Sequence, residues 1–178
     1  MYVYGGVFLK KYFVLTLTSV FLIIFMLLLS SCKYKCELYS SDIISYVLNT
    51  EQSQSYDVYV GYGFSSDSFS EKELERFYGV YDAAYKCTDY AAAFSRSDNP
   101  WEIHIFRTRS LYDNKSVVSM LRRRADFITK EENNNYIGKT IDYIIFEEKN
   151  IICLVVGERC NTYRERICNL IKNKSRSL

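Results

Sequence analysis

The stretch WEIHIFR, residues 101–107, decides how the fold of this chain is interpreted. Apolar residues alternate in it from Trp101 onward, which is typical of a strand with one buried face. The run SRSDNP, residues 95–100, precedes it and has the composition of a turn. Before that turn stands a strand of small residues, TDYAAAF, residues 88–94. Together these runs predict a β-hairpin.

A helix and a second hairpin are predicted next. The helix runs from about Lys115 to Lys130, because apolar residues recur there at helical spacing: Val117, Val118, Leu121, Ala125 and Ile128. Strands at residues 141–146 (IDYIIF) and 151–156 (IICLVV) are joined by residues 147–150 (EEKN).

Three further helices complete the layout. One spans about residues 43–48, one follows the capping box Ser70–Glu73, and one covers about residues 162–172. Residues 56–64 (YDVYVGYGF) are ambiguous between a short edge strand and a loop. The predicted fold is α+β, with an antiparallel four-stranded sheet made of two hairpins separated by a helix and with helices packed on it.

The two periodicities also make a prediction about the core. Ile103 and Ile105 share one strand face, so we expect both to be buried in the sheet. Leu121 lies on the apolar stripe of the helix that follows, and we expect it to face these two isoleucines.

The N-terminal residues have the pattern of a targeting segment. Residues 1–11 contain no acidic residue and finish with Lys10 and Lys11, and residues 12–29 are uncharged. Leu29-Ser30-Ser31-Cys32 then resembles the lipobox of bacterial lipoproteins, in which the cysteine receives a diacylglyceryl group and becomes the new N-terminus. The resemblance implies lipid attachment at Cys32.

An uncleaved anchor helix is the alternative. Eighteen uncharged residues span roughly 27 Å as a helix, just enough to cross a bilayer core. Both interpretations, the lipoprotein signal and the anchor helix, place the two lysines in the cytoplasm and the residues after the apolar segment outside the cell. We predict a signal peptide at residues 1–31, a lipid-anchored tether at 32–40 and one extracytoplasmic domain at 41–178, bound to the cell membrane by its lipid.

Charge argues against a nucleic-acid partner. The net charge is +2, which Lys10 and Lys11 account for, so the remaining chain is near neutral. Nucleic-acid binding rewards a clustered basic face. The single basic run, Arg122 to Arg124, splays over about 200° of a helix, which predicts a solvated face rather than a patch.

Five cysteines remain if Cys32 is acylated: Cys36, Cys87, Cys153, Cys160 and Cys168. We expect core thiols, although an external compartment would permit a disulfide. The chain has no CxxC pair and a single histidine, which gives a tetrahedral zinc site little support. We predict neither a metal nor another cofactor.

No constellation points to catalysis, so we predict no catalytic residue. His104 is interpreted as a surface or rim histidine, with Glu102 about 7 Å away along the strand as a loose neighbour. On that view, His104→Ala leaves the domain folded. The carboxylate pairs Glu131-Glu132 and Glu147-Glu148 are expected to be solvated. An alternative binding feature is a stacking surface for sugars or peptides formed by three tyrosines: Tyr56, Tyr59 and Tyr62.

A family resemblance covers roughly residues 40–157. YGV (78–80), WEIHIFRTRS (101–110), VVSMLRRRADF (117–127) and the closing hairpin resemble a domain of unknown function found in lipoproteins of low-GC Gram-positive bacteria. In that family an acidic-isoleucine strand precedes a basic residue and an arginine-bearing helix; Glu102-Ile103, Arg107, and Arg123 or Arg124 fit this pattern. The histidine of EIHIF departs from it, because the family more often has a small apolar residue there.

These observations predict a membrane-anchored extracytoplasmic lipoprotein with a binding or interaction domain. The membrane is the expected partner, and a cell-wall or protein ligand stays unidentified. The alternatives are an extracytoplasmic, cell-wall-directed hydrolase and an uncleaved single-pass subunit of a membrane complex. The resemblance implies no activity.

Overall fold

The computed structural model describes residues 16–23, 36–49, 56–62, 69–96, 101–130 and 141–174. The chain divides into two compact units, Met1–Lys35 and Cys36–Leu178. In the first unit, residues 16–23 are helical. None of the helices in the described ranges combines the length and apolar character needed to cross a membrane. The predicted acylation site, Cys32, lies outside these ranges.

The second unit is built on a five-stranded antiparallel sheet. The strands are β1 (Tyr56–Gly61), β2 (Cys87–Ser95), β3 (Glu102–Thr108), β4 (Tyr143–Glu148) and β5 (Ile151–Val156). Their order across the sheet is β1-β2-β3-β5-β4. Both predicted hairpins are present, and β3 pairs with β5 to join them.

The predicted number of strands is wrong by one. Residues 56–61, which the sequence left ambiguous, pair with β2 over their whole length as β1. The central residues of β1 lie opposite the Ala91-Ala92-Ala93 run of β2. The sheet therefore has five strands rather than four, and the α+β class is confirmed.

Helices cover both faces of this sheet. They are α1 (Ser40–Asn49), α2 (Glu71–Tyr78), α3 (Asn114–Thr129) and α4 (Cys160–Lys174), with 3-10 turns at Asp82–Lys86 and Leu111–Asp113. α2 begins as predicted, since the Glu73 N–H donates to the Ser70 hydroxyl. It ends at Gly79, whose φ of 65° favours glycine.

Two apolar cores result, one on each face of the sheet. α1 and α4 cover the first face, where Ile103, Ile105 and Cys153 are buried. α2 and α3 cover the second face, where Phe106 and Leu154 are buried.

The burial of Ile103, Ile105 and Leu121 is confirmed, but their predicted contact is wrong. Leu121 belongs to the second core, whereas the two isoleucines point into the first. A helical stripe shows which side of a helix is buried, and it carries no information about which face of a sheet the helix covers.

The first residues of the second unit are bonded to one end of the sheet. The Cys36 N–H donates to Asn150 Oδ1 over 2.7 Å, and the Ser40 N–H donates to Asp89 Oδ1 over 2.7 Å. Arg107 pairs with Asp89 and donates to the Cys36 carbonyl. The part of the predicted tether from Cys36 to Ser40 therefore belongs to the folded unit.

Leu121→Ala tests the packing of α3. Leu121 has no exposed surface, so we expect its truncation to lower the free energy of unfolding by roughly 2–5 kcal/mol. Arg122→Ala is the matched control, because Arg122 is the next residue of the same helix and is exposed. Chemical denaturation of both variants measures the difference. A loss for Leu121→Ala no larger than that of the control would contradict the assigned helix face.

Candidate functional site

The single histidine of the chain lies inside the second core. Strand alternation places His104 of β3 on the same face as Glu102 and Phe106, beneath α2 and α3. Its exposed fraction is 0%. The prediction of a surface or rim histidine is therefore wrong.

Four polar side chains from three elements form a continuous hydrogen-bonded chain around His104. The Tyr78 hydroxyl of α2 lies 2.7 Å from His104 Nδ1. On the other side of the ring, His104 Nε2 lies 2.8 Å from Glu102 Oε2. Arg124 of α3 completes the chain with a bidentate pair, donating from Nη2 to Glu102 Oε1 over 2.6 Å and from Nε to Oε2 over 3.1 Å. We call these four residues the buried tetrad.

Glu102 was expected to be a loose neighbour of His104, and this too is wrong. The two residues are two positions apart on one strand face, and their side chains reach towards each other along that face. Their Cα atoms are about 7 Å apart along the strand, but the side chains are long enough to form a direct hydrogen bond.

The surroundings fix where the protons of the tetrad lie. Burial lowers the pKa of the His104 imidazole, and this outweighs the opposing influence of Glu102, so the ring is neutral at pH 7. Burial also raises the pKa of Tyr78 well above its ordinary value, which keeps the phenol protonated. The Tyr78 O–H therefore donates to Nδ1, and the Nε2–H donates to Glu102.

Glu102 stays ionised although it is largely buried. Burial by itself raises the pKa of this carboxyl, but the hydrogen bond from His104 and the charge and hydrogen bonds of Arg124 bring it below its ordinary value. Because His104 is neutral, we assign the larger part of this stabilisation to Arg124. The guanidinium also lies near three phenylalanine rings: Phe77, Phe94 and Phe127.

The geometry leaves His104 no means of acting on a substrate. Both ring nitrogens are engaged within the protein, and the ring has no accessible surface. A general base needs an open approach to the proton that it removes. The tetrad resembles a nucleophile–base–acid series only in its order, since the hydroxyl group is a phenol held inside the core.

A surface groove of about 280 Å³ lies elsewhere, between the start of β4 and the start of α4. It is lined by Asp142, Tyr143, Ile144, Glu158, Arg159, Cys160, Asn161 and Thr162. Burial raises the pKa of the Cys160 thiol, which donates to the Gly157 carbonyl over 2.6 Å. A protonated, hydrogen-bonded thiol is a poor nucleophile.

The three tyrosines expected to form a stacking surface do not share one. Tyr56 packs on Trp101 against the first core, and Tyr59 lies among Phe69, Phe77 and Phe94 against the second. Tyr62 is 40% exposed and contacts Tyr39.

The remaining candidate residues lie apart from the tetrad. Glu147 accepts from Asn114, and Glu148 lies on the other strand face, 3.8 Å from Lys172, so the pair does not converge. Glu131-Glu132 lies outside the described residues. The five cysteines beyond Cys32 are free thiols, four of them buried and Cys168 half-buried. Within the described ranges, no group of three or more His, Cys, Asp or Glu side chains is placed to hold a metal ion.

Sequence reasoning missed Tyr78 and Arg124 as partners of His104. The arginine run was expected to be a solvated face, which holds for the exposed residues Arg122 and Arg123 but not for Arg124. A usable sign was present in WEIHIFR: a glutamate and a histidine on one strand face require polar partners if the covering helix buries them.

No protein-family model, curated protein or solved structure matches the chain. The resemblance to the lipoprotein domain of low-GC Gram-positive bacteria therefore stays a prediction.

Tyr78→Phe tests the tetrad as a stabilising unit. The variant keeps the ring but leaves the buried Nδ1 of His104 without its donor, so we expect a loss of about 1–3 kcal/mol in the free energy of unfolding. Tyr112→Phe is the matched control, because Tyr112 is 94% exposed. Denaturant titration compares the two variants with the wild type. Equal stabilities would show that the Tyr78–His104 hydrogen bond contributes nothing.

The stability of the fold should depend on pH through His104. Because its folded pKa lies below the ordinary value of 6.5, the unfolded chain binds a proton first as the pH falls. We expect the free energy of unfolding to be constant just above pH 6.5. Below it, the free energy should decrease by up to about 1.4 kcal/mol per pH unit until the folded imidazole titrates too.

The attribution is direct because the chain has one histidine and ordinary carboxyl groups titrate at lower pH. His104→Gln should be less stable than the wild type and should lack the slope between about pH 6.5 and 5.5. Denaturation across this range measures both proteins. A wild-type stability that does not change would contradict a neutral buried histidine.

Proposed function

We propose that this chain is a membrane-anchored extracytoplasmic lipoprotein, acylated at Cys32, whose folded unit is a binding or interaction domain. The observation that carries the proposal is the sequence order at the N-terminus. Lys10-Lys11, the uncharged residues 12–29 and then Leu29-Ser30-Ser31-Cys32 follow one another as in lipoprotein signal peptides. On this proposal the acyl chains hold the protein at the outer face of the cell membrane.

The tetrad favours binding over hydrolysis as the role of the folded unit. The one histidine is committed to Tyr78 and Glu102, so it cannot activate a hydroxyl or thiol nucleophile. Burial also raises the pKa of Cys87 and of Cys153, which disfavours their thiolates. A cell-wall-directed glycosidase would use two carboxylates that flank one bond, and Glu147 and Glu148 point to opposite faces of β4.

An uncleaved single-pass subunit is the second candidate, and the same N-terminal residues support it. Eighteen uncharged residues are long enough for a spanning helix. The two candidates differ in a covalent bond at Cys32 and in the mass of the mature chain, so one experiment separates them.

Cys32→Ala tests acylation directly. In a bacterial host grown with a labelled fatty acid, the wild type should incorporate label and lose residues 1–31. The variant should do neither, because the acceptor thiol is absent. Cys36→Ala is the matched control four residues away and should be labelled like the wild type. Mass spectrometry of the membrane fraction gives the N-terminus. A wild-type chain that retains Met1 and carries no lipid would refute the lipoprotein and leave the single-pass subunit.

A further inference from the structure

One end of the sheet holds the first residues of the folded unit, and we call it the attachment end. The strand register brings together there the ends of β1, β3 and β4 and the starts of β2 and β5. Cys36 is bonded to the turn before β5, and Arg107 at the end of β3 donates to the Cys36 and Glu37 carbonyls. The polypeptide therefore enters the folded unit at this end, in a fixed place.

Among the residues that the structure describes, four large apolar or aromatic side chains are exposed at the attachment end. Tyr112 is 94% exposed, Tyr39 50%, Leu111 46% and Tyr62 40%. Tyr39 belongs to the entering segment and touches Tyr62 at the end of β1, with ring centroids 6.2 Å apart. Leu111 and Tyr112 form the 3-10 turn that directly follows β3.

The distance from the proposed lipid is short. Cys32 and Cys36 are four residues apart, which is at most about 14 Å of extended chain. β3 has seven residues and is about 20 Å long, so the far end of the sheet lies beyond that reach from its point of attachment. An acylated Cys32 therefore keeps the attachment end nearest to the bilayer.

We propose that the attachment end rests on the membrane surface, with Tyr39, Tyr62, Leu111 and Tyr112 at the level of the lipid headgroups. Tyrosine is suited to this depth because its ring is apolar and its hydroxyl is polar. The proposal rests on the membrane anchoring proposed above and adds an orientation and a contact surface to it.

Exposure alone does not select this surface. Phe127 is 55% exposed and Tyr143 40%, and both lie towards the far end of the sheet. Charge does not select it either, since this end carries both cationic and acidic residues: Lys86, Arg109 and Lys149, and Glu37 and Asp113. The point of chain entry and the length of residues 32–35 are what distinguish the two ends.

Helix α3 offers a matched pair of positions for the test. It has 16 residues and is about 24 Å long. Tyr112 lies just before its start and Phe127 lies near its end. Both side chains are exposed and belong to neither apolar core, and Phe127→Trp keeps an aromatic ring beside Arg124. The native tryptophan, Trp101, is 7% exposed and supplies a constant background.

The experiment uses the full chain, expressed with its N-terminal segment and purified from membranes. It is reconstituted into vesicles of phosphatidylcholine and phosphatidylglycerol in which a fraction of the headgroups carries a nitroxide quencher. We expect Tyr112→Trp to lose a fraction of its emission at least about twice that lost by Phe127→Trp, because only the former indole sits at headgroup depth. The wild type should be quenched least.

Two different failures are distinguishable. A chain that does not float with the vesicles overturns the proposed membrane anchoring, and the orientation with it. A chain that floats but shows equal quenching for the two variants, or stronger quenching for Phe127→Trp, overturns the orientation alone.

Discussion

The ionised carboxylate of Glu102 is the constraint on which the packing of α2 and α3 against the second face of the sheet depends. A carboxylate removed from water must be matched by donors, and here they come from His104 of the same strand and Arg124 of α3. Tyr78 extends the chain to α2. Arg124 also donates to the Phe77 carbonyl, so α3 holds the end of α2 as well. One buried charge thereby fixes two helices on one strand.

Such a network specifies an arrangement more than it adds free energy. The Coulomb attraction of a buried pair is largely offset by the loss of hydration, whereas removing one partner leaves an unpaired charge and is costly. The first face of the sheet repeats the device at the other end of β3, where Arg107 pairs with the buried Asp89 and holds the segment from Cys36 to Ser40. The stretch WEIHIFR thus supplies one charged residue of each buried ion pair: Glu102 on the second face of the sheet and Arg107 on the first.

Local periodicity predicted much of this fold. β5 was placed at residues 151–156 and α3 within one residue of each end, because spacing along one element is enough for both. The face that Leu121 covers was missed because it depends on how the chain crosses the sheet. His104 was missed because a polar residue within an alternating pattern reads as exposed, whereas here helices cover both faces. β1 is ambiguous in the sequence because its assignment depends on pairing with β2, about 35 residues further along the chain.

The candidate site was less predictable than the fold, since its members are far apart in the sequence. Tyr78 and Arg124 each belong to a helix whose pattern reveals only an apolar stripe. Their polar ends meet His104 through tertiary packing, which no spacing encodes. The N-terminal motif is the opposite case: it is contiguous, and sequence alone carries the proposal built on it.

The most direct test of this account is the ¹⁵N NMR spectrum of the single histidine side chain at pH 7. The structure predicts a neutral imidazole with its proton on Nε2 and a bare Nδ1 that accepts from Tyr78, and it predicts that this state persists below pH 6.5. An imidazolium at pH 7, a proton on Nδ1, or titration at the ordinary pKa of an exposed histidine would contradict the buried tetrad.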